Sequence, residues 1–151
     1  MLIALDCGHN APIADTGTRG IGFEDELARQ VVSQLKPKLE KAGHEVLLVA
    51  PKSSQSITAS LRDRCENAND AGADLFVSIH FNAFNKKANG SEVFVFSPQS
   101  KAKEQAQDVV DNIVKLGFAN RGVKFKGFYV LKHTRMPAML IECCFCDSQK
   151  I

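Results

Sequence analysis

The stretch Leu75–His80, with the sequence LFVSIH, decides the fold class of this chain. It is a short, mainly apolar run that closes on a histidine. Two other runs follow the same plan: LIAL at residues 2–5 leads to His9, and AMLI at residues 138–141 leads to Glu142. Continuous apolar runs of this length are typical of strands that are buried on both faces of a parallel sheet. The three runs therefore predict an α/β domain with a parallel sheet at its centre.

Segments with helical periodicity separate these runs, so that strands and helices alternate along the chain. The first helix is expected to begin at Glu24 and to close near Lys41, with a kink at Pro37, because apolar residues recur every four positions along it. Further strands are predicted at 45–50, 90–97 and 128–131, and further helices near 61–68 and 106–116. The alternation predicts one α/β domain over residues 1–151, built on a twisted, mainly parallel sheet of about six strands with helices on both faces.

The composition excludes several other classes of protein. A formal net charge of +2 and the lack of a Lys/Arg block argue against a nucleic-acid partner. No apolar stretch approaches the ~20 residues that a membrane-spanning helix requires, so membrane insertion is not expected. The first residues lack the basic region and cleavage site of a signal peptide, which predicts synthesis in the cytoplasm. The five cysteines lack CxxC spacing and are expected to be reduced thiols rather than a disulfide framework.

Chemically active side chains stand where the three apolar runs end. His9, His80 and Glu142 follow or close these runs, and ligands in open α/β sheets gather beyond the carboxyl ends of the strands. Helix geometry adds Glu24, because at about 100° per residue it shares a side with the apolar stripe, whereas Glu26 points to solvent. Two imidazoles, one carboxylate and a fourth position for water match the His₂Glu sites of several zinc hydrolases. The pattern predicts a zinc site with a second carboxylate beside it for proton transfer.

Each of these residues also has an ordinary structural interpretation. Glu24 could only complement the helix dipole, and His80 could be a hydrogen-bonded structural residue. His9 could be an exposed turn residue, and Glu142 a solvated strand end. Four such residues at one edge of one sheet favour a shared site over four separate explanations.

The remaining candidate side chains are expected to lie outside the chemistry. His44 precedes a strand at the opposite edge and is interpreted as a surface residue. His133 lies in the predicted loop 132–135 and could face the site, but an ordinary loop position is favoured. The cysteines could suggest a thiol nucleophile, but packing near the strand ends is favoured. An HExxH helix, the signature of the common metalloproteases, is not present in the sequence.

Several pieces of sequence together carry a resemblance to a known family. They are IALDCGH at 3–9, Glu24 at its helix start, LRDR at 61–64 leading to Ala68 and Asn69, ADLFVSIHFN at 73–82, RGVK at 121–124, VL at 130–131 and MPAMLIE at 136–142. In these pieces the chain resembles the zinc-dependent N-acetylmuramoyl-L-alanine amidases that cleave bacterial peptidoglycan, in the group with a twisted α/β sheet. The pieces follow the family's order and span nearly the whole chain.

The resemblance implies a site and a reaction. Zinc would be held by His9, Glu24 and His80, with Glu142 as the catalytic acid/base. The bond cut would be the amide that joins the lactyl group of N-acetylmuramic acid to the first L-alanine of the stem peptide.

The sequence departs from the family pattern at a few positions. Asn10 stands where glycine is usual, and Cys143 and Cys144 stand where a small residue and then an aromatic are expected; these changes bear on the substrate groove rather than on the metal. The family domain also commonly continues into a last helix, whereas this sequence stops at Ile151. The sequence is therefore expected to be a catalytic domain that is trimmed at its C-terminus. Without a signal peptide, a phage endolysin or an excised domain of a larger lysin is favoured over a secreted autolysin.

Two rival functions remain open at this point. One is a zinc carboxypeptidase or endopeptidase that cuts within the stem peptide with the same residues. The other is a non-catalytic wall-binding module that kept the fold. The retention of Glu142, which only turnover requires, argues against the second.

Overall fold

The computed structural model describes residues 1–148, which form a six-stranded sheet flanked by four helices. The strands are β1 (Leu2–Cys7), β2 (Glu45–Leu48), β3 (Leu75–Asn82), β4 (Ser91–Val95), β5 (Asn120–Phe125) and β6 (Ala138–Phe145). The helices are α1 (Glu24–Lys41), α2 (Ile57–Asp70), α3 (Lys103–Val114) and α4 (Tyr129–His133). None of these helices in the described part of the chain is both long and apolar enough to cross a bilayer.

The sheet is parallel except at one junction. Its strand order is β2-β1-β3-β6-β4-β5, and the only antiparallel pair described is β4 with β6. β1, β3 and β6 therefore end at the same edge, as their apolar runs predicted. The amino-terminal end of β4 meets them there because β4 runs the other way, with Glu92 opposite Glu142. The prediction of a mainly parallel α/β sheet is confirmed.

Helices cover both faces of the sheet. On one face, Ala28 and Val32 of α1 and Ala106 and Val110 of α3 pack over Ile79 and its neighbours. On the other face, Cys65 and Ala68 of α2 and the short helix α4 cover Phe76 and Leu140. The apolar stripes of the helices and the uninterrupted apolar runs of the strands follow from this two-sided burial.

The prediction of a strand at 128–131 is wrong. The strand that was not predicted is β5, with the sequence NRGVKF. It is half-exposed in the sheet and has no continuous apolar run. The residues after Phe128 form α4, whose Val130 and Leu131 are buried as one turn of helix against the sheet. A single apolar turn and a short buried strand have the same local composition, so periodicity does not separate them. His133 consequently ends a helix instead of lying in a loop.

Two strand ends also differ from the prediction. β3 continues beyond His80 to Asn82, and β6 continues beyond Glu142 to Phe145, because the two strands keep pairing with each other as far as Asn82 and Phe145. His80 and Glu142 are partners in this register. Pro37 lies inside α1, which continues to Lys41.

Candidate metal centre

Three predicted ligands converge at the carboxyl edge of β1 and β3. Glu24 Oε1 lies 3.3 Å from His9 Nε2 and 3.1 Å from His80 Nδ1. One donor atom from each of the three side chains lies within 4.8 Å of the other two, which is close enough for all three to bind one ion. Two imidazoles and one carboxylate are a donor set that suits a transition metal such as zinc.

Glu24 is held inward by backbone groups. It is the first residue of α1 and only 5% exposed. Its Oε2 accepts a hydrogen bond from Thr18 N at 3.0 Å, and its Oε1 accepts one from Phe81 N at 3.3 Å. Glu26 is exposed, as the helical periodicity predicted. A glutamate that only complemented the helix dipole would not need these buried partners.

His80 is placed by the close approach of β1 and β3. Gly8 N donates to Ile79 O at 2.9 Å, which draws the end of β1 against the backbone beside His80. A Cβ on Gly8 would lie 2.6 Å from His80 Nε2 and 2.6 Å from Ile79 O, so only glycine fits there without displacement. The glycine thus lets the imidazole of His80 sit beside Glu24.

The electrostatics of the centre favour positive charge. Burial alone would lower the pKa of His9, but hydrogen bonds and charge from Asp15 and Glu24 raise it to about 10. Burial alone would raise the pKa of Glu24, but hydrogen bonds with His80 and His9 hold it well below its usual range. Carboxylates that stabilise a cationic imidazole also suit a bound divalent cation, so the residues present fit a metal ion.

Glu142 lies in the same cleft but is not one of the three predicted ligands. It lines a cavity of about 380 Å³ together with His9, Glu24 and His80. Its Oε2 is buried and has no hydrogen-bond partner among the described residues. Burial raises the pKa of the Glu142 carboxyl to about 7. A buried carboxylate oxygen without a partner is available to a substrate or a water in the cleft.

A second buried carboxylate stands next to Glu142. Glu92 of β4 is 3% exposed and accepts hydrogen bonds from Arg121 Nε at 2.8 Å, Asn82 Nδ2 at 3.1 Å and Lys124 Nζ. Burial alone would raise the pKa of Glu92, but Lys124 and Arg121 lower it. Sequence reasoning missed this residue, although a glutamate directly before the apolar run Val93–Val95 of β4 was a visible signal.

A buried polar group behind His9 was also missed. His9 Nδ1 and Asp15 Oδ1 are 2.6 Å apart, and Asp15 is in turn bonded by Ser60 and Arg64 of α2. Arg64 is 1% exposed and also contacts Asp6. The signal was its position in the apolar stripe of α2, between Leu61 and Ala68, where an arginine needs buried acidic partners.

The other two histidines lie apart from the centre. His133 is exposed and stacks on Tyr129 with ring centroids 4.1 Å apart. His44 precedes β2 at the opposite edge and is half-buried, less exposed than the surface position expected for it. Neither is among the residues that line the cleft.

The cysteines are free thiols with suppressed acidity. All five belong to the described residues, and none forms a disulfide. Burial raises the pKa of Cys7 and Cys143 to about 12, and it also raises that of Cys144. A thiol nucleophile needs a lowered pKa, so the local environment disfavours this role.

We expect Cys7→Ser and Cys144→Ser each to keep most of the activity, because the thiols are neutral and the predicted ligand set does not include them. The measurement is the initial rate of peptidoglycan digestion by each purified variant beside the wild type, with and without a chelator. Loss of turnover after thiol alkylation, with folding and metal content unchanged, would contradict this expectation.

Comparison with known proteins places the chain in a family. The family model described as N-acetylmuramoyl-L-alanine amidase matches residues 3–150. The chain belongs to this family. It is 35% identical to the N-acetylmuramoyl-L-alanine amidase LytC of Bacillus subtilis over 148 residues, which is 95% of this chain and 29% of LytC. The sequence similarity to LytC thus extends over almost all of this chain.

Two further comparisons bear on extent and fold. An uncharacterised protein of Clostridium perfringens is 37% identical over 98% of this chain, which spans 44% of that protein. The chain therefore spans less than half the length of these curated relatives. The catalytic domain of the CD27L endolysin, which targets Clostridium difficile, superposes with a TM-score of 0.88 at 29% identity, covering 99% of this chain and 84% of that domain.

Proposed function

We propose that this chain hydrolyses the amide bond between N-acetylmuramic acid and the first L-alanine of the peptidoglycan stem peptide. The observation that carries the proposal is the geometry of the cleft, in which His9, Glu24 and His80 converge beside the unpartnered oxygen of Glu142. Membership of the amidase family supplies the substrate class.

We further propose that the three ligands bind Zn²⁺. His9 would bind through Nε2 and His80 through Nδ1, since these are the ring nitrogens nearest to Glu24 Oε1. Zn²⁺ at such a site supplies Lewis-acid activation of water and of the scissile carbonyl. No cysteine thiol belongs to this proposed ligand set. Hard cations, which prefer oxygen ligands, would not require two imidazoles.

In this proposal Glu142 moves the proton. Its Oε2 takes a proton from the attacking water and delivers it to the amide nitrogen as the bond to L-alanine breaks. A carboxyl whose pKa lies near neutrality is suited to both halves of this transfer. The neighbouring Glu92 stays ionised because Arg121 and Lys124 pair with it, which leaves the transferable proton to Glu142.

The wider setting of the chain is also a proposal. Residues 1–151 are taken as a catalytic domain that acts on the bacterial cell wall, with peptidoglycan as its partner. LytC is named as an amidase and CD27L as an endolysin, and the likeness of this chain to both supports that setting.

Product analysis tests the function directly. Purified peptidoglycan digested with the zinc-loaded chain is expected to release peptides with a new N-terminal L-alanine, together with glycan strands whose N-acetylmuramic acid residues carry free lactyl carboxyl groups. Chelation should stop the release, and added zinc should restore it. New amino termini at other stem residues would indicate a peptidase, and binding without release would indicate a wall-binding module.

A further inference from the structure

We propose that Asp15 is a positioning residue for the metal centre, which sets the tautomer of His9 so that Nε2 is free to bind the ion. The proposal deepens the proposed function and rests on its metal site. It is carried by the hydrogen bonds that join the loop after β1 to helix α2.

The imidazole of His9 is anchored on the side away from the site. His9 Nδ1 donates to Asp15 Oδ1 at 2.6 Å, while His9 Nε2 lies near Glu24 Oε1. A neutral imidazole carries one hydrogen, and a carboxylate can only accept. Asp15 therefore holds the ring hydrogen on Nδ1 and leaves the lone pair of Nε2 directed to the ligand side.

The backbone that presents this ring is held in an unusual conformation. His9 and Asn10 have φ values of 58° and 54°, in the left-handed region that residues other than glycine rarely adopt. Arg64 donates to the carbonyls of Cys7, at 2.8 Å, and of His9. Asn10 Nδ2 donates to Gly8 O at 2.8 Å, a hydrogen bond within the same turn that stabilises its conformation. The position of His9 thus depends on a buried arginine of α2.

The second oxygen of Asp15 faces only donors. Ser60 Oγ accepts from Arg64 Nε at 3.1 Å and donates to Asp15 Oδ2 at 2.7 Å, and Arg64 Nη2 lies 3.4 Å from the same oxygen. Asp15 as a carboxylate satisfies donors on both sides. An amide has one accepting end and one donating end, so it cannot do so.

This arrangement gives Asp15→Asn a specific consequence. The amide oxygen would face Ser60 and Arg64, and the amide NH₂ would face His9 Nδ1. His9 Nδ1 would then have to accept, which moves the ring hydrogen to Nε2 and blocks the atom that binds the ion. The substitution keeps the size of the side chain but reverses the tautomer.

The test is zinc affinity, measured by competition with a chromogenic chelator, for wild type, Asp15→Asn and Asp63→Asn. Asp63→Asn is a matched control because it makes the same chemical change on α2, and among residues 1–148 the Asp63 side chain bonds only to the exposed Arg62. We expect affinity to fall roughly tenfold to hundredfold in Asp15→Asn and to stay within about twofold in Asp63→Asn. Circular dichroism of the metal-free proteins reports folding separately.

Nitrogen-15 spectra of the histidine rings supply a readout that a purely structural role would not change. In the zinc-loaded wild type, the His9 hydrogen is expected on Nδ1, and in metal-free Asp15→Asn the neutral ring should carry it on Nε2. A spectrum of the zinc-loaded wild type with the His9 hydrogen on Nε2 overturns the proposal even if the variant does not fold. Unchanged zinc affinity in a folded Asp15→Asn also overturns it, while a wild type that binds no zinc overturns the metal site of the proposed function instead.

Discussion

Glu142→Gln should lower the rate of peptide release from peptidoglycan by on the order of 10²–10⁴-fold, the range that a positioned general acid/base contributes. Glutamine keeps the size of the side chain but cannot accept the proton of the attacking water. Because Glu142 Oε2 has no hydrogen-bond partner among the described residues, replacing that oxygen by an amide nitrogen breaks no hydrogen bond with them. The informative measurement is release of new N-terminal L-alanine beside metal analysis on one purified sample.

The stability of this variant separates a chemical role from a structural one. The raised pKa of Glu142 means that the folded state holds its proton more tightly than the unfolded state, so this carboxyl lowers stability as pH rises from about 4.5 to about 7. Gln removes that effect, so the metal-free variant at pH 8 should melt at or above the wild-type temperature. Glu104→Gln, at an exposed position of α3, is the matched control and should retain full activity. Substantial activity in Glu142→Gln would remove this residue from the mechanism, and loss of zinc would make it a ligand.

His9→Ala and His80→Ala should each abolish stoichiometric zinc binding and, with it, activity. Each substitution removes one of three converging donors, and a site with one imidazole and one carboxylate left no longer has the three protein ligands of a catalytic zinc centre. The measurement is zinc content per chain after dialysis against a weak chelator, followed by the digestion assay.

Two controls keep this expectation specific. His133→Ala removes an exposed histidine that does not itself line the cleft, although it stacks on the cleft residue Tyr129, and it should retain full zinc because it supplies none of the three donors. Glu26→Gln changes the exposed neighbour of Glu24 and should also retain it. Full metal content in both His9→Ala and His80→Ala would refute the ligand set, and zinc loss in Glu26→Gln would indicate Glu26 instead of Glu24 as the carboxylate ligand.

The sequence by itself determined the strands and helices whose signals are local. The apolar runs at 2–5, 75–79 and 138–141 predicted buried parallel strands because burial on both faces removes the polar alternation. The first-turn position of Glu24 could be assigned to the inner face because helical periodicity is a property of neighbouring residues. These local rules were enough to predict which edge of the sheet would bring His9, Glu24 and His80 together.

The tertiary structure alone decided the features that depend on distant partners. β5 carries no continuous apolar run because it is a half-exposed strand, and only its pairing with β4 identifies it. The reversed direction of β4 places Glu92 opposite Glu142, although the two are 50 positions apart in the chain (142 − 92 = 50).

The hydrogen bonds that hold Asp15 beside His9 likewise depend on the tertiary structure. Asp15 meets Ser60 across 45 positions and Arg64 across 49. Burial makes such polar groups depend on one another, since each would lose hydrogen bonds to water without the others. Local sequence can indicate that Arg64 is buried, but only the folded chain decides which carboxylate it meets and which histidine that carboxylate orients.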